Sequence, residues 1–210
     1  MTKFLVLGLL GLAAVGVSAC SVFGHSGVES APYDVVRADE NIEVRTYERM
    51  ILAVTPMVKG SNGRGGSFGR LFNYISGDNV AATKIPMTAP VFMAENESVE
   101  IPMTAPVFMG GEGTTMSFVL PAEYTMETAP VPTNDQVRLE EITDYTVAVI
   151  QFSGLLNDEN SAKHEAQLRE WIAGQPYEIV GEAVTAGYDA PFTIPAMRRN
   201  EILIPVKASE

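Results

Sequence analysis

Four thioethers stand in a repeated frame. The nonapeptide Ile-Pro-Met-Thr-Ala-Pro-Val-Phe-Met occupies residues 85–93 and again 101–109, with a seven-residue spacer that includes Glu95, Glu97 and Glu100. Met87, Met93, Met103 and Met109 are soft donors of the kind that select copper(I). Other ligands are scarce: the chain has two histidines, His25 and His164, and one cysteine, Cys20. The two methionines of each copy are six apart, which places them on one face of an extended strand. Without a nearby histidine they make a poor copper cage, and methionine fills irregular cores equally well. His164, between Lys163 and Glu165, reads as an exposed helical residue. No nucleophile with a neighbouring base is apparent, and the glycine-rich residues 60–66 lack the Lys-Ser/Thr of a phosphate-binding loop. Thr88 and Thr104 read as strand residues, and the chain is expected to bind rather than catalyse.

Cys20 carries a different chemistry. Lys3, an apolar run over residues 4–17 and Val17-Ser18-Ala19-Cys20 form the layout of a secretory signal. The run is shorter than the roughly 20 apolar residues of a membrane span. Small residues directly before a cysteine resemble the lipobox of bacterial lipoproteins, which implies acylation of the Cys20 thiol after removal of residues 1–19. Ser21 resembles the pattern sorted to the outer membrane, so the expected place is the envelope, facing the periplasm. An ordinary secretory signal is the alternative. A lone cysteine forms no internal disulfide. Residues 20–32, rich in Gly and Ser and holding His25, read as a tether, leaving residues 33–208 as one domain.

Removing residues 1–19 takes one cation, Lys3, so the 14 basic residues fall to 13 against 26 acidic ones, a net charge of −13. That balance disfavours nucleic acid and anionic lipid as partners.

The elements that must position these groups alternate strands with two helices. Two prolines per nonapeptide exclude a helix interior, while Thr, Val and Phe suit a pleated surface, so each copy is a short strand. Residues 33–37, 42–47 and 50–58 read as strands, with turns at 38–41 and 48–49. Phe68, Leu71, Phe72 and Ile75 have the i, i+3, i+4, i+7 spacing of one helical face, after a loop at 60–66 and with Gly77 as the stop. A strand at 115–120, a proline-rich loop at 121–135 and a hairpin of 137–141 with 145–152 follow. A second helix is predicted over 160–173, burying Leu168, Trp171 and Ile172 and ending at Gly174 and Pro176. Strands at 180–187 and 201–206 close the chain. Two strand–loop–helix units in succession predict an α+β domain, a sheet bent into a barrel with a helix on each half.

Several of these segments together resemble the SOUL haem-binding protein family. The residues that carry the resemblance are 69–79 (Gly-Arg-Leu-Phe-Asn-Tyr-Ile-Ser-Gly-Asp-Asn), 84–91 (Lys-Ile-Pro-Met-Thr-Ala-Pro-Val), 117–121 (Ser-Phe-Val-Leu-Pro), and 187–192 with 198–201. It implies a distorted antiparallel β-barrel with two flanking helices, built from a pseudo-duplicated unit. It also implies reversible, non-covalent binding of haem or another tetrapyrrole in an apolar cleft beside the first helix, for sequestration or transfer. Phe68, Leu71, Phe72 and Ile75 would then form one wall, and Tyr188 with Phe192 another. Met87 is a candidate contact, and Lys84, Arg64 and Arg70, with Arg198 and Arg199 from the last loop, are the cations available to propionates. The helix stripe is equally readable as core, and Arg198 and Arg199 as partners of Glu201. A histidine that serves some animal members as ligand has no counterpart here, so a strong axial bond is not expected. The remaining alternatives are copper(I) binding and removal of iron from haem.

Overall fold

The computed structural model describes residues 29–57, 63–94, 115–190 and 192–209. The leader, Cys20, His25 and the second nonapeptide lie outside the described residues. The elements are β1 (Glu29–Ser30), β2 (Asp34–Asp39), β3 (Ile42–Pro56), α1 (Gly63–Ser76), β4 (Thr88–Ala89), β5 (Val91–Ala94), β6 (Thr115–Val119), β7 (Arg138–Phe152), α2 (Asp158–Ala173), β8 (Tyr177–Ile179), β9 (Val184–Gly187) and β10 (Asn200–Ala208). Six strands, β3, β6, β5, β9, β10 and β7, pair in that order, and the pairing of β7 with β3 closes them into an antiparallel barrel. β2 adds to β3 and β8 to β10 from outside the ring.

Two long strands replace what the sequence suggests are four short ones. β3 and β7 stay paired from Ile42 opposite Ile150 to Val54 opposite Arg138. The expected turn at Glu48 and Arg49 is instead a solvated bend within β3, and residues 142–144 do not form a hairpin. Asp144, at φ 50°, takes up the bend in β7, one of the short polar side chains that tolerate the left-handed region. The bend also redirects the outer face of the strand. Val44 before it packs in the cluster of α2, and Ile51 and Ala53 after it pack in the cluster of α1.

Alternation along each strand sorts the core into an interior and two covered exteriors. Leu52, Val54, Val147, Val149, Ala186 and Leu203 fill the barrel. Ile51, Ala53, Met116 and Phe118 point outward and are capped by Leu71, Tyr74 and Ile75 of α1. Ala148, Ile150, Ile202 and Ile204 point outward and are capped by Leu168 and Ile172 of α2. α2 begins where the Asn157 side chain accepts from the Asn160 amide at 3.0 Å, and it ends at Gly174. The strand expected over 180–187 is interrupted. A Cβ on Gly181 would meet Pro205 Cγ at 2.8 Å, so the chain crosses β10 there at a distance only glycine allows. α1 begins at Gly63, inside the stretch expected to be loop.

The first nonapeptide supplies β4 and β5, on either side of Pro90. Ile85 donates its amide to Ile75 O at 2.7 Å, and Ile85, Ala89 and Phe92 are buried. β5 fits between β6 and β9, with Val91 opposite both Phe118 and Gly187.

The barrel interior also contains charge. Arg45 makes a two-point contact with Glu201, Nη1 to Oε2 at 2.9 Å and Nη2 to Oε1 at 3.1 Å. Its Nε reaches Glu43 at 2.7 Å. Arg199 bonds Glu201 Oε1 at 2.6 Å and Tyr188 donates its hydroxyl to Oε2 at 2.6 Å. Arg45 lies 4.3 Å from the Tyr33 ring centre and Arg199 4.1 Å from that of Tyr188. The Glu201 side chain is 0% exposed. Burial opposes its charge, but the hydrogen bonds and charge of Arg45, with Arg199 and Tyr188, hold its carboxyl below the ordinary range. Burial pushes Tyr47 up to about 12.

Removing one member of such a pair leaves an uncompensated buried charge, at a cost of about 3–5 kcal/mol. Glu201→Gln should therefore lower Tm sharply at neutral pH. The depressed Glu201 pKa contributes stability that is present above the unfolded value, about 4.3, and is lost as pH falls through the folded one. Melts of wild type and Glu201→Gln at neutral and acidic pH check both statements. An unchanged Tm in the variant would contradict them.

Because the two nonapeptides are identical, the β5 slot should accept either. Deleting residues 85–100 joins Lys84 to Ile101 and leaves residues 110–114, Gly-Gly-Glu-Gly-Thr, before Thr115, a loop length suited to an antiparallel hairpin. The shortened chain should unfold cooperatively near the wild-type temperature. An unfolded product would show that the copies are not interchangeable.

Candidate functional site

Buried apolar side chains, Leu52, Val54, Val147, Val149, Ala186 and Leu203 among them, fill the barrel interior. A cavity lined by Pro32, Met50, Val119, Tyr124 and neighbours has a volume of about 10 Å³, room for about one water. Ligand clefts for drug-sized molecules are roughly 300 Å³ or more. The other large apolar surface lies on the outside, beside α1.

The apolar stripe of α1 divides into two lines there. Leu71, Tyr74 and Ile75 face the barrel and are buried, and the Tyr74 hydroxyl donates to Pro130 O at 2.8 Å. Phe68 and Phe72, one turn apart along the edge of the helix, are 37% and 47% exposed. Their rings stack at 6.1 Å and 13°, and Phe68 meets the buried Phe118 edge-on at 5.2 Å. Leu71 and Ile75, expected to line a cleft, are therefore core, and the two phenylalanines are the exposed part of the stripe. Outward-facing Val91 and Met93 of β5 lie half-buried against the same cluster, as does Met87. Val91 and Met93 stand opposite Phe118 and Met116 in the sheet. Together they make an apolar shelf between α1 and β5.

Charge borders the shelf unevenly. Arg70 is committed to structure. Its Nε donates to Thr55 Oγ1 at 2.8 Å, and its Nη2 reaches Ser67 Oγ at 3.1 Å and also bonds Pro56 O. It pins the start of α1 to the end of β3. Lys84 is exposed at the other end of the helix. Asn79 ties the loop leading to it, giving its Nδ2 hydrogens to Tyr74 O at 3.1 Å and Thr83 O at 2.8 Å. The Arg64 side chain lies outside the described residues.

Other expected members are elsewhere. Tyr188 points into the barrel and is used by Glu201, so it is not a wall of the shelf. Phe192 is exposed on the 188–199 loop, which is fastened to the approach to α2 by the bond from Gly154 N to Pro195 O at 2.8 Å. Arg199 is the partner of Glu201, and Arg198 Nε donates to Thr193 O at 2.8 Å. His164 is half-buried rather than exposed: its ring stacks on Phe152 at 4.1 Å and its Nδ1 lies 2.7 Å from Asn160 O, in the cluster under α2 and away from the shelf. Among the described residues no three His, Cys, Asp or Glu side chains come together as a metal-ligand set. Val91 was not marked by sequence reasoning. Its signal is the alternation Val91, Phe92, Met93, in which only the middle residue is buried.

A flat, largely apolar ring with polar groups on one edge suits this surface better than a compact polar ligand. The shelf supplies aromatic faces, thioethers and one exposed cation, and no strong axial donor stands over it among the described residues.

Comparison with known proteins agrees with the architecture. A sequence model of the family described as SOUL heme-binding protein matches residues 28–205. Heme-binding protein 1 of Xenopus tropicalis is 28% identical over 137 residues, 63% of this chain and 65% of that protein's length. Heme-binding protein 1 of Sus scrofa is 27% identical over 204 residues, 92% of this chain and all of that protein. Among solved structures, the EcmrR C-terminal domain superposes with a TM-score of 0.52 at 10% identity, covering 84% of this chain and 98% of that one. An uncharacterized conserved protein from Listeria innocua superposes with a TM-score of 0.53 at 11% identity, covering 80% and 93%. The structural likenesses are of fold alone. With the family match over nearly the whole described domain, the chain belongs to the SOUL haem-binding protein family.

Proposed function

We propose that this domain binds haem or a related tetrapyrrole reversibly and without a covalent bond, on the shelf between α1 and β5, and that it sequesters or passes on the ligand rather than transforming it. The observation that carries the reading is the stacked, exposed pair Phe68 and Phe72. Two large aromatic rings held in solvent by a helix whose neighbouring line is fully buried are a surface awaiting an apolar partner. Family membership and relatives named for haem binding support the choice of ligand.

In this reading Phe68 and Phe72 take one face of the macrocycle, and Val91, Met87 and Met93 supply the surface it rests against. Lys84 meets a propionate at the rim. Bound haem would bring iron with axial positions that Met87 or Met93 could meet only as weak donors. A site built this way releases its cargo easily, which suits a carrier. The lipobox-like residues around Cys20 support a lipid-anchored protein of the bacterial envelope, held in the outer membrane and facing the periplasm. Bacterial lipoproteins carry more than one acyl chain, as stable retention requires.

The test is a titration of the domain from Ser21 onward with haem and with iron-free protoporphyrin, followed by the Soret band and by Trp171 emission. One-to-one saturable binding of both is expected. Phe72→Asp, at an exposed position, should keep the native circular dichroism and weaken binding at least about tenfold through loss of apolar contact. His164→Ala should leave the Soret maximum in place. Undiminished affinity in a folded Phe72→Asp protein would rule out the shelf, and iron lost from haem during incubation would favour an enzyme instead.

A further inference from the structure

The end of the barrel where the chain enters carries a second apolar surface. Phe192, Ile194 and Met197 on the 188–199 loop are 67%, 44% and 43% exposed, and Leu155 on the approach to α2 is 49% exposed. Two hydrogen bonds make them one surface, Gly154 N to Pro195 O at 2.8 Å and Asn200 Nδ2 to Gly154 O at 3.1 Å. From Ala190 to Met197 the loop has no charged residue, in a chain that is 19% charged. Inside it, the short 3-10 turn Pro195–Met197 buries none of its three side chains. Large apolar groups gathered at a loop tip, rather than scattered, mark a contact surface.

The position of the amino-terminal segment says what that contact is. β1 pairs with β4, and Ala31 N donates to Ala89 O at 3.1 Å, two residues before Val91, which stands opposite Gly187 at the root of the loop. Tyr33 packs on Arg45, whose guanidinium holds Glu201, and Glu201 in turn holds Tyr188 and Arg199, the two feet of the loop. The chain thus enters the fold at the same end of the barrel as the feet of the loop. Nine positions separate Cys20 from Glu29, a length that spans at most about 30 Å when extended. An acyl chain on Cys20 brings the bilayer within reach of this end of the domain.

We infer that the loop tip of Phe192, Ile194 and Met197, with Leu155, is the face this domain lays on the lipid surface to which Cys20 anchors it. The inference rests on the lipid-anchor reading. Contact is apolar and shallow, at the level of the headgroups and first methylenes, and because the loop from Ala190 to Met197 carries no charge it is insensitive to added salt. Held in this way, the domain keeps one orientation on the membrane instead of tumbling at the end of its tether.

The full chain, acylated at Cys20, has no free thiol, so Phe192→Cys can be labelled alone with an environment-sensitive fluorophore, with Glu178→Cys as a control. Glu178 pairs with Lys207 near the opposite end of β10 and is exposed. In phosphatidylcholine vesicles the label at position 192 should shift to the blue and be quenched by brominated acyl chains, while the label at 178 stays as in buffer. Protein that floats with the vesicles but gives the same signal at both positions would retain the anchor and overturn the membrane face. Protein that does not float would remove both. A label at 192 that responds to haem without vesicles, and not to vesicles, would assign the loop to the ligand and overturn the inference as well.

Discussion

Closure of the sheet through the β3–β7 ladder is the constraint from which the rest follows. Once six strands form a ring, every strand has an inner and an outer face, and both must be accounted for. Inner residues such as Leu52, Val149 and Leu203 pack the barrel solid. Outer residues are apolar on two arcs and polar or half-exposed elsewhere, so each apolar arc needs a helix. α1 covers one and α2 the other. In the proposed reading the ligand lies not in the interior, where many barrels hold it, but on the outer strip beside α1.

The interior ion pair refines this picture. Arg45 and Glu201 sit on β3 and β10, the two strands that flank β7, so their contact spans the inside of the ring. Buried pairs of this kind add little net stability over apolar packing, but they penalise wrong arrangements severely. Here the pair gathers the amino-terminal segment through Tyr33 and the last loop through Tyr188 and Arg199. A single carboxylate thus sets the position of the chain entry and of the apolar loop beside it.

The legible parts of this fold were those written in local pattern. The 3.6-residue spacing of Leu71 and Ile75, the stop of α2 at Gly174, the strand at Thr115–Val119 and the proline-limited first nonapeptide all stood in the sequence. What escaped was decided by partners far along the chain. Glu48-Arg49 has turn composition, yet pairing with β7 carries the strand through it. Glu201 looks like a surface acid until Arg45, 156 residues away, is placed against it. Tyr188 looked like a ligand contact for the same reason that it is buried: an aromatic body with one polar tip. Family resemblance pointed to the first helix, but the division of its stripe into a buried line and an exposed one required the angle at which α1 lies on the barrel. The outward residues of β5, Val91 and Met93, were hidden by a repeat whose obvious feature was its methionines.

On the proposed reading the ligand lies on the outer shelf while the barrel stays closed. Methyl resonances of the labelled domain, recorded with and without iron-free protoporphyrin, test it most directly, because the ring current of the macrocycle shifts only nearby methyls. Binding at the shelf predicts displaced signals for Met87, Met93 and Val91, with those of Leu52 and Leu203 unmoved. Displacement of the interior methyls instead would mean that the barrel opens to admit the ligand, and would contradict the account.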